Sequence, residues 1–472
     1  MKISNLLKDV QVEEIINKKD VKIDCLSANS KKCKPNSLFF CINGFSLNGQ
    51  NFVLNAIDNG AVAVVCSQKL DIKIPQIIVT DVRKAMSIIS ANFFGNFHKK
   101  LKIIGIVGTN GKSSCAYIIK QLLDNLEIKS AMIGTNEIII DKKVYSSNLT
   151  TPDPIELHEL FKNIYQCGAR VVVMEVSAHS IYLNKVYGID FYALALTNVA
   201  SDHLDFFKTK QLYEATKKSI FYSQNKANLI VNLDDRVGQE LNKKVRCLTY
   251  SLKHNATIKG IYSSTNCDVK VRYNGKIYSY ANHLIGKFNV QNQLLSILVL
   301  LTLSISITDI LMQMERIREI KGRLNVFKTK NSTIIVDYAH TSKSLEELLK
   351  AVKQMTKKNV VAVVGCPGNR DENKRREFGK ILNRHCAFVY LTQDNPKYEN
   401  PFRIMREMSK GIDVGKYLMV ENRAKAINLA HKLTKKENFV LVIIGKGIEE
   451  YQDINGIKVR YSDIVEVKKL IR

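Results

Sequence analysis

A glycine-rich turn near residue 110 carries side chains that could handle phosphate. It reads Gly108-Thr-Asn-Gly-Lys-Ser113 and joins the apolar run Ile103–Val107 to the helical pattern Ala116–Leu126. Glycines let backbone N–H groups approach phosphate oxygens, and the helix N-terminus adds a favourable dipole. Lys112 would supply a cation for the β- and γ-phosphates, and Ser113 a hydroxyl for Mg²⁺. The turn therefore predicts an ATP site, although its spacing differs from the common G-x-x-x-x-G-K-[ST].

Polar residues also follow two later strand-like runs. Glu175 ends the run Val171–Val176, and the segment Ser201-Asp-His-Leu-Asp205 follows the run Ala193–Asn198. Carboxylate and imidazole groups at neighbouring strand ends, beside a phosphate loop, suit a bound Mg²⁺. The sequence thus predicts ATP and Mg²⁺ as the cofactors of one site.

The elements that must position these residues form an α/β protein. A chain of 472 residues is long enough for about three domains. We predict an N-terminal α/β domain over residues 1–100, a central P-loop parallel-sheet ATPase domain over 101–325 and a C-terminal Rossmann-like domain over 326–472. Strand-like runs that alternate with helical stretches predict mostly parallel, doubly wound sheets, whose strand ends bind ligands. The basic stretch Lys99–Lys102 is interpreted as a linker.

Particular runs define the outer domains. The N-terminal domain has strand-like runs at Ser37–Ile42, Ala61–Cys66 and Gln76–Thr80. The C-terminal domain has a helical pattern at Ser344–Met355 and strand-like runs at Thr333–Asp337, Val360–Val364, Phe388–Thr392 and Phe439–Ile444.

Composition excludes several classes of protein. The net charge of +27 comes from 71 basic residues spread along the whole chain, so we expect no nucleic-acid partner. The apolar run Leu294–Ile307 falls short of the roughly 20 residues that span a bilayer, which predicts a buried helix and no membrane partner. The ten cysteines include no C-x-x-C pair, and the N-terminus has no apolar signal core. Reduced thiols indicate the cytoplasm.

With two further segments, the motifs resemble the Mur ligase family over nearly the whole chain. The matching segments are Gly108–Ser113, Glu175-Val-Ser-Ala-His179, Thr197–Asp205, Val336-Asp-Tyr-Ala-His340 and Asp394-Asn-Pro-Lys397. The resemblance implies three domains, which bind the uridine nucleotide, ATP and the incoming amino acid. It also implies ligation through an acyl phosphate, formed when ATP phosphorylates the free carboxylate of UDP-N-acetylmuramoyl-L-alanyl-D-glutamate and attacked by the amine of a diamino acid.

The resemblance assigns roles around ATP. Lys112, His203 and Lys217 are the implied catalytic residues. Implied contacts to ATP come from Gly108, Thr109, Asn110, Gly111, Lys112, Ser113, Ser114, Asn289, Asn292, Arg323, Asp337 and His340. Implied metal ligands are Ser113, Glu175, His203 and Lys217. Lys217 ends Tyr213-Glu-Ala-Thr-Lys217, where Thr216 replaces the family's alanine, and is the implied lysine that reacts with CO₂ to form a carbamate.

The resemblance also implies the substrate contacts. For the muramoyl dipeptide these are Ser30, Thr150, Thr151, Ser177 and Lys185. Asn29-Ser30-Lys31 stands where the family reads D-S-R, and Lys185 replaces an arginine, so it keeps the charge without the bidentate fork.

For the amino acid, the implied contacts are Arg370, Asp394, Asn395, Lys397, Gly445 and Glu449. Family members that use diaminopimelate usually read D-N-P-R, and Lys397 keeps that final cation. We therefore expect meso-2,6-diaminopimelate as the amino acid, with L-lysine or another diamino acid as the alternative. We also expect the protein to be a monomer whose partners are its small-molecule substrates.

Three other interpretations remain open from the sequence. Folylpolyglutamate synthetase shares the P-loop and the acyl-phosphate chemistry, but lacks the uridine domain and the D-N-P segment. A nucleic-acid-stimulated P-loop ATPase is favoured only by the basic charge. A ligase with a changed substrate is suggested by Ala178, Lys185 and Ile448, the last of which replaces the histidine of the family's G-K-G-H-E motif.

Overall fold

The computed structural model describes residues 1–44, 47–147, 149–262, 268–329, 332–369, 372–435 and 438–471, without the side chain of Asn373. It divides into two compact units, each built from several chain segments. The first unit consists of Met1–Gly105, Glu127–Leu194 and Ser219–Ala227, and the second of Ile106–Leu126, Ala195–Lys218 and Asn228–Arg472.

The N-terminal section of the first unit is one sheet covered by helices. Its helices and strands are α1 Ile3–Leu6, β1 Glu14–Ile16, β2 Cys25–Ser27, β3 Ser37–Phe40, α2 Val53–Asp58, β4 Ala61–Cys66, β5 Gln76–Ile78 and α3 Val82–Phe94, with short 3₁₀ turns at Ser30–Lys32, Gly49–Phe52 and Phe97–Lys100. The strand order is β1-β5-β4-β3-β2, with β1 antiparallel and the other pairs parallel.

The sequence locates β3, β4 and β5 because their residues form almost continuous apolar runs, as in strands buried on both faces. The prediction of a linker at Lys99–Lys102 is wrong. Residues 97–100 form a 3₁₀ turn, and Lys102 already begins the next strand. The Nζ of Lys100 lies over the rings of Phe97 and Tyr165, so this exposed lysine also contacts aromatic side chains.

The middle section contributes to both units. Its elements are β6 Lys102–Val107, α4 Lys112–Asn125, β7 Ser130–Ile133, β8 Glu137–Ile140, β9 Lys143–Ser146, α5 Pro154–Gln166, β10 Val171–Val176, α6 Ala178–Tyr182, β11 Ala193–Leu196, α7 Leu204–Phe207, α8 Lys210–Ser223, β12 Asn228–Asn232, α9 Arg236–Asn242, β13 Leu248–Ser251, β14 Ile258–Tyr262, β15 Asp268–Tyr273, β16 Lys276–Ala281, α10 Lys287–Thr302 and α11 Ile307–Met314. The chain passes between the units within β6, β11 and α8.

The middle strands include antiparallel pairs beside the parallel ones. In the first unit the order is β10-β7-β8-β9, and only β10 and β7 are parallel. In the second unit β12, β13 and β14 are parallel, whereas β14, β15 and β16 are antiparallel. The turn between β15 and β16 is Asn274-Gly275, with φ of 46° and 76°, and Asn-Gly with positive φ favours a tight hairpin. This signal was overlooked in the sequence.

The C-terminal section lies in the second unit. Its elements are β17 Asn325–Lys328, β18 Thr333–Asp337, α12 Ser342–Thr356, β19 Asn359–Val364, α13 Asn373–His385, β20 Phe388–Leu391, α14 Pro401–Ser409, β21 Tyr417–Met419, α15 Arg423–Thr434, β22 Phe439–Ile444, β23 Tyr451–Ile454, β24 Ile457–Arg460 and α16 Asp463–Leu470. The main sheet has the order β17-β18-β22-β19-β20-β21, parallel except for β17. The predicted runs are confirmed as β18, β19, β20, β22 and α12.

The apolar run near residue 300 is confirmed as a buried helix. Helix α10 has buried side chains along most of its length and ends at Thr302, before Ile307. Over the part of the chain that the structure describes, no helix is long and apolar enough to cross a bilayer.

Candidate active site

The glycine-rich turn follows strand β6 and begins helix α4. A Cβ atom at Gly108 would lie 1.8 Å from the Thr197 Oγ1, and one at Gly111 would lie 2.6 Å from the Asn292 Oδ1. Gly111 also has a φ of 87°, which side-chain-bearing residues rarely adopt. These two positions therefore require glycine, which leaves the backbone of the turn open to a phosphate.

The lysine of the turn lies against the turn itself. The Lys112 Nζ donates to the carbonyl oxygens of Gly108 and Thr109, at 3.0 Å each. Ser113 and Ser114 are buried in the first turn of α4. The ammonium group and the N-terminus of a 14-residue helix thus act on the same small volume, as phosphate binding requires.

The C-terminal section of the second unit contacts this turn directly. The Arg323 Nη2 donates to the Ser113 Oγ at 3.1 Å, and the guanidinium group lies over the Tyr338 ring, 4.5 Å from its centroid. The Thr341 hydroxyl donates to the Asn110 Oδ1 at 3.0 Å. Arg323 was predicted from the sequence, whereas Thr341 was overlooked although it follows the quoted V-D-Y-A-H segment.

Asp337 is a structural clamp within the same section. Its two carboxylate oxygens accept from the N–H groups of Leu324 and Ala339, at 2.7 Å each. Burial raises the pKa of Asp337, which the nearby Arg323 and the two N–H donors only partly offset. Asp337 therefore holds the residue after Arg323 in place, and its contact to ATP stays a prediction.

Lys217 is buried beside the turn and is held by hydroxyl groups. Only 1% of the residue is exposed, and its Nζ contacts the Tyr213 phenol oxygen at 2.7 Å and the Thr109 Oγ1 at 3.0 Å. Burial, reinforced by the charge of Lys112, places the pKa of Lys217 well below its ordinary value. The environment of Lys217 therefore favours the uncharged amine, which is the form that can act as a nucleophile.

His203 belongs to a cluster around a buried carboxylate. The Asp202 carboxylate lies 3.5 Å from the His203 Nε2, 3.8 Å from the His340 Nε2 and 3.8 Å from the Lys374 Nζ. Burial alone would raise the pKa of Asp202, but these three groups outweigh it and hold the pKa well below its usual value. The carboxylate is thus ionised at neutral pH and can fix the orientation of His203.

Asn289 and Asn292 lie at the start of α10, behind the turn. The Asn292 Nδ2 donates to the Asn289 Oδ1 at 3.3 Å, and the Asn289 Nδ2 donates to the Ile285 carbonyl at 2.8 Å. The Asn292 Oδ1 accepts from the Cys115 thiol at 3.5 Å, and helices α10 and α4 pack together. The contacts described for the two asparagines support the turn from behind, and an adenine contact stays a prediction.

Several predicted residues of the first unit meet at the end of β10. Glu175 is buried, and its Oε1 accepts from the Thr135 N–H at 2.8 Å. The Thr151 hydroxyl donates to the Glu175 carbonyl at 2.9 Å and accepts from the Ser177 N–H at 3.2 Å. The Thr135 hydroxyl also donates to the Thr150 Oγ1 at 3.3 Å. Three predicted substrate residues and one predicted metal ligand therefore form one network.

Lys185 and Ser30 lie elsewhere in the first unit. The Lys185 Nζ pairs with the Asp153 carboxylate at 2.8 Å, just after the threonines of the T-T-P segment. Ser30 begins a 3₁₀ turn, is buried, and accepts from the Asn59 Nδ2 through its carbonyl at 3.3 Å. No contact between Ser30 and another predicted site residue occurs in the described part of this unit.

The predicted amino-acid residues of the second unit surround a lysine that the sequence reading missed. The Lys446 Nζ lies 3.3 Å from the Asp394 Oδ1, 2.9 Å from the Asn395 Oδ1 and 2.9 Å from the Glu449 Oε2. Gly445 has a φ of 118°, and a Cβ there would lie 2.9 Å from the Asp394 Oδ2. Asp394, Asn395, Gly445 and Glu449 are thus brought together, while Arg370 lies outside the described residues.

Lys397 faces a different volume from that cluster. It lines a surface pocket of about 630 Å³, together with residues 398–401, Glu421, Asn422, Ile454 and Asn455. Of the described residues predicted for the amino acid, only Lys397 lines this pocket. The Lys397 N–H donates to the Asp453 carbonyl at 2.9 Å, so the hairpin of β23 and β24 fixes its backbone.

Some functional side chains carried signals that were not used. Tyr213 and Lys217 are four residues apart on a helix and so share one face. Lys446 stands between two glycines directly after strand β22, where ligand contacts are expected in such sheets. Lys374 begins a basic run with no motif, so only the fold could bring it to Asp202.

The chain is similar along its whole length to a curated bacterial enzyme. The UDP-N-acetylmuramoyl-L-alanyl-D-glutamate--2,6-diaminopimelate ligase 1 of Clostridium acetobutylicum is 36% identical, and the alignment covers 100% of this chain and 99% of the relative. The chain belongs to the Mur ligase family. It is an ATP-dependent ligase of peptidoglycan synthesis, as the motifs predict.

Family models match each section of this Mur ligase in order. The Mur ligase family catalytic domain matches residues 22–102, the Mur ligase middle domain 106–300, and the Mur ligase glutamate ligase domain 322–447. A solved UDP-N-acetylmuramoyl-L-alanyl-D-glutamate--2,6-diaminopimelate ligase is 26% identical with a TM-score of 0.70, covering 99% of this chain and 98% of that one. The predicted three-domain α/β fold is confirmed.

The folylpolyglutamate synthase of Mycobacterium tuberculosis shares the fold less completely. It has a TM-score of 0.63 at 15% identity, and the match covers 77% of this chain and 93% of that one. The solved UDP-N-acetylmuramoyl-L-alanyl-D-glutamate--2,6-diaminopimelate ligase covers more of this chain, at 99%.

Proposed function

We propose that this Mur ligase joins meso-2,6-diaminopimelate to UDP-N-acetylmuramoyl-L-alanyl-D-glutamate. The observation that carries the proposal is the end-to-end similarity, at 36% identity, to a relative named for this reaction. The described residues supply fitting chemistry: a phosphate turn with a cation, a buried lysine whose pKa is lowered, and a cluster of carboxylates in the C-terminal section.

The reaction must overcome electrostatic repulsion, because an anionic carboxylate must attack an anionic triphosphate. In the proposed sequence, a carboxylate oxygen of the dipeptide attacks the γ-phosphorus, and ADP leaves. The amine of the diamino acid then attacks the acyl carbon, phosphate leaves, and the nitrogen loses a proton as the amide forms. Lys112 and Arg323 would hold the phosphate oxygens through these steps, since their cationic groups lie at the turn.

The described donors fit Mg²⁺, which prefers oxygen ligands. The Ser113 hydroxyl and the buried Glu175 carboxylate are of that type, and Asp202 orients the His203 imidazole. No cluster of three or more histidine, cysteine or acidic side chains suited to a metal occurs in the described part of the chain. A further anionic oxygen ligand would suit the same ion. When bound, Mg²⁺ would offset the phosphate charge.

Lys217 is the proposed source of that ligand. Its neutral amine could add to CO₂, forming an N–C bond and releasing a proton, which converts the side chain into a carbamate. The contacts from Tyr213 and Thr109 fix the nitrogen beside the phosphate turn. The proposal is supported by the burial of Lys217, by its two hydroxyl contacts, and by the lowering of its pKa, which favours the uncharged amine that attacks CO₂.

The muramoyl substrate is assigned to the first unit. Thr150, Thr151 and Ser177 offer hydroxyl groups in one network, and Lys185 offers a cation beside Asp153. Ser30 is proposed for the uracil. We keep the domain boundaries at 1–100, 101–325 and 326–472, and propose a monomer in the cytoplasm, which agrees with the free thiols of the described cysteines.

Diaminopimelate differs from L-lysine chiefly by a distal carboxylate, so its pocket needs an added cation. Lys397 would be that cation, with Arg370 as the second. L-lysine remains the alternative because Lys397 lacks the bidentate fork of an arginine and lines a pocket apart from Glu449.

The test is kcat/KM for both amino acids, measured with the wild type and Lys397→Ala. We expect the wild type to prefer diaminopimelate, and the variant to lose roughly tenfold or more of that preference because one charged contact is removed. Lys410→Ala, at an exposed lysine of the same section, is the matched control. A wild-type preference for L-lysine would contradict the proposed substrate.

A further inference from the structure

Lys446 is a fully buried cation in the C-terminal section, with an exposed fraction of 0%. Its Nζ donates to three side chains: Asp394, Asn395 and Glu449. A buried ammonium group is strongly unfavourable unless it is paired and hydrogen-bonded, and these contacts use all three of its donors. The lysine is therefore built into the cluster and does not simply lie near it.

The backbone around Lys446 directs the side chain inward. Gly445 and Gly447 have φ values of 118° and 52°. A Cβ at Gly447 would lie 2.6 Å from the Gly322 carbonyl oxygen, just as a Cβ at Gly445 would meet Asp394. The chain on either side of Lys446 thus packs too tightly for a side chain, and the turn has one defined conformation.

Asn395 connects the lysine to the rest of the cluster. Its Oδ1 accepts from the Lys446 Nζ and from the Asp453 N–H, at 2.9 and 3.0 Å, and its Nδ2 donates to the Glu449 Oε2 at 3.0 Å. The other Glu449 oxygen accepts from the Tyr338 phenol at 3.3 Å. Lys446 therefore fixes Asn395 and Glu449 relative to each other.

The charges in this cluster do not cancel. Asp394 and Glu449 contribute two carboxylates in direct contact with a single ammonium group, which leaves one net negative charge. A second cation of ligand size would balance it, and both candidate amino acids carry an ammonium group at the far end.

We infer that Lys446 is a positioning residue for the incoming diamino acid: it holds Asn395 and Glu449 in place and leaves their cluster with one negative charge for the ligand's distal ammonium. The inference rests on the proposed function, in which Asn395 and Glu449 contact that amino acid. Lys446 itself needs no contact with the ligand.

The experiment compares the wild type, Lys446→Met and the double variant Lys446→Met with Asp394→Asn in steady-state ligation. Lys446→Met leaves two unbalanced carboxylates, whereas the double variant restores one net negative charge. We expect KM for the amino acid to rise roughly tenfold or more in Lys446→Met, as for other broken buried ion pairs. The double variant should recover a large part of that loss. KM for ATP should stay within about twofold in both variants, because the substitutions weaken binding of the amino acid and not binding of ATP.

The outcomes separate the two proposals. If the wild type ligates a diamino acid and Lys446→Met keeps its amino-acid KM, or raises KM for ATP equally, the inference is overturned alone. If the single variant does not fold, the double variant decides. An amino-acid KM near that of the wild type supports the charge balance, and a KM raised by roughly tenfold or more overturns it. If the wild type ligates no diamino acid, the proposed function fails and the inference fails with it.

Discussion

The glycine-rich turn and the cluster of Asp394, Asn395 and Glu449 each contact a lysine that is almost completely buried, and the two lysines have different kinds of partner. Lys217, 1% exposed, contacts a hydroxyl and a phenol, and makes no ion pair with any described residue. Lys446, 0% exposed, contacts two carboxylates and an amide oxygen. Equal burial therefore does not give equal chemistry, because carboxylate partners stabilise an ammonium group more than hydroxyl partners do.

The difference matches the roles proposed for the two residues. A neutral amine is a nucleophile, which suits the proposed reaction of Lys217 with CO₂. An ammonium group that is held by three acceptors is a structural cation, which suits Lys446. The neighbouring charges act in the same sense, since Lys112 lowers the pKa of Lys217 further.

The largest expected effect comes from Lys112→Ala. Ligation should fall by roughly 100-fold or more, because the cation of the turn is lost from the transferring phosphate. The melting temperature should change little, since the Lys112 Nζ bonds to carbonyl oxygens of its own turn. ADP release measures the rate, and Lys129→Ala, at an exposed lysine after helix α4, is the control. Retention of more than about a tenth of the rate would contradict the role.

Lys217→Ala should be nearly inactive, with a partial recovery when a small carboxylic acid is added to the assay. The added carboxylate would stand in for the proposed carbamate oxygen atoms. Lys218→Ala is a matched control, because the neighbouring Nζ pairs with Glu240 at 3.1 Å, away from Thr109 and Tyr213. Full activity of Lys217→Ala without any additive would remove Lys217 from the site and break the contrast with Lys446.

The smallest expected effect concerns two buried histidines that have no proposed role in the reaction. They test the same rule, that burial disfavours the charged form of a side chain. His98 and His158 are buried together in the first unit, with ring centroids 5.0 Å apart. Burial lowers the pKa of His98 to about 4 and that of His158 to about 3, below the ordinary value of 6.5. The unfolded chain therefore binds protons at these two histidines that the folded chain does not bind. The free energy of unfolding is not reduced by them above pH 6.5, and it declines as the pH falls toward 4.

We expect this pair to cost the wild type roughly 2 kcal/mol per histidine at pH 5, and His158→Phe to remove about half of that dependence. Thermal unfolding of both proteins at pH 7.5 and pH 5 measures it. Phe161 already packs against His158, so an aromatic replacement fits the site. Equal acid sensitivity in the two proteins would show that the burial of His158 does not control the acid response.

Features that depend on residues close together in the sequence were predicted better than contacts between distant segments. Strands such as Ala61–Cys66 and the glycines at 108 and 111 were predictable, because apolar runs and turn chemistry are local signals. Contacts that join distant segments were not. Asp202 meets Lys374, and Asn395 meets Lys446, across many residues of chain, and a single sequence contains no record of such pairs.

The tight approach of Asn292 to Gly111 limits how this enzyme can evolve. A methyl group at residue 111 would collide with the Asn292 side chain, and one at residue 108 would collide with Thr197. A smaller neighbour would not be enough to allow substitution, because both glycines also have a positive φ at which a side chain is strained whatever the space. In a library of random variants, both positions should therefore stay glycine even where Asn292 or Thr197 changes.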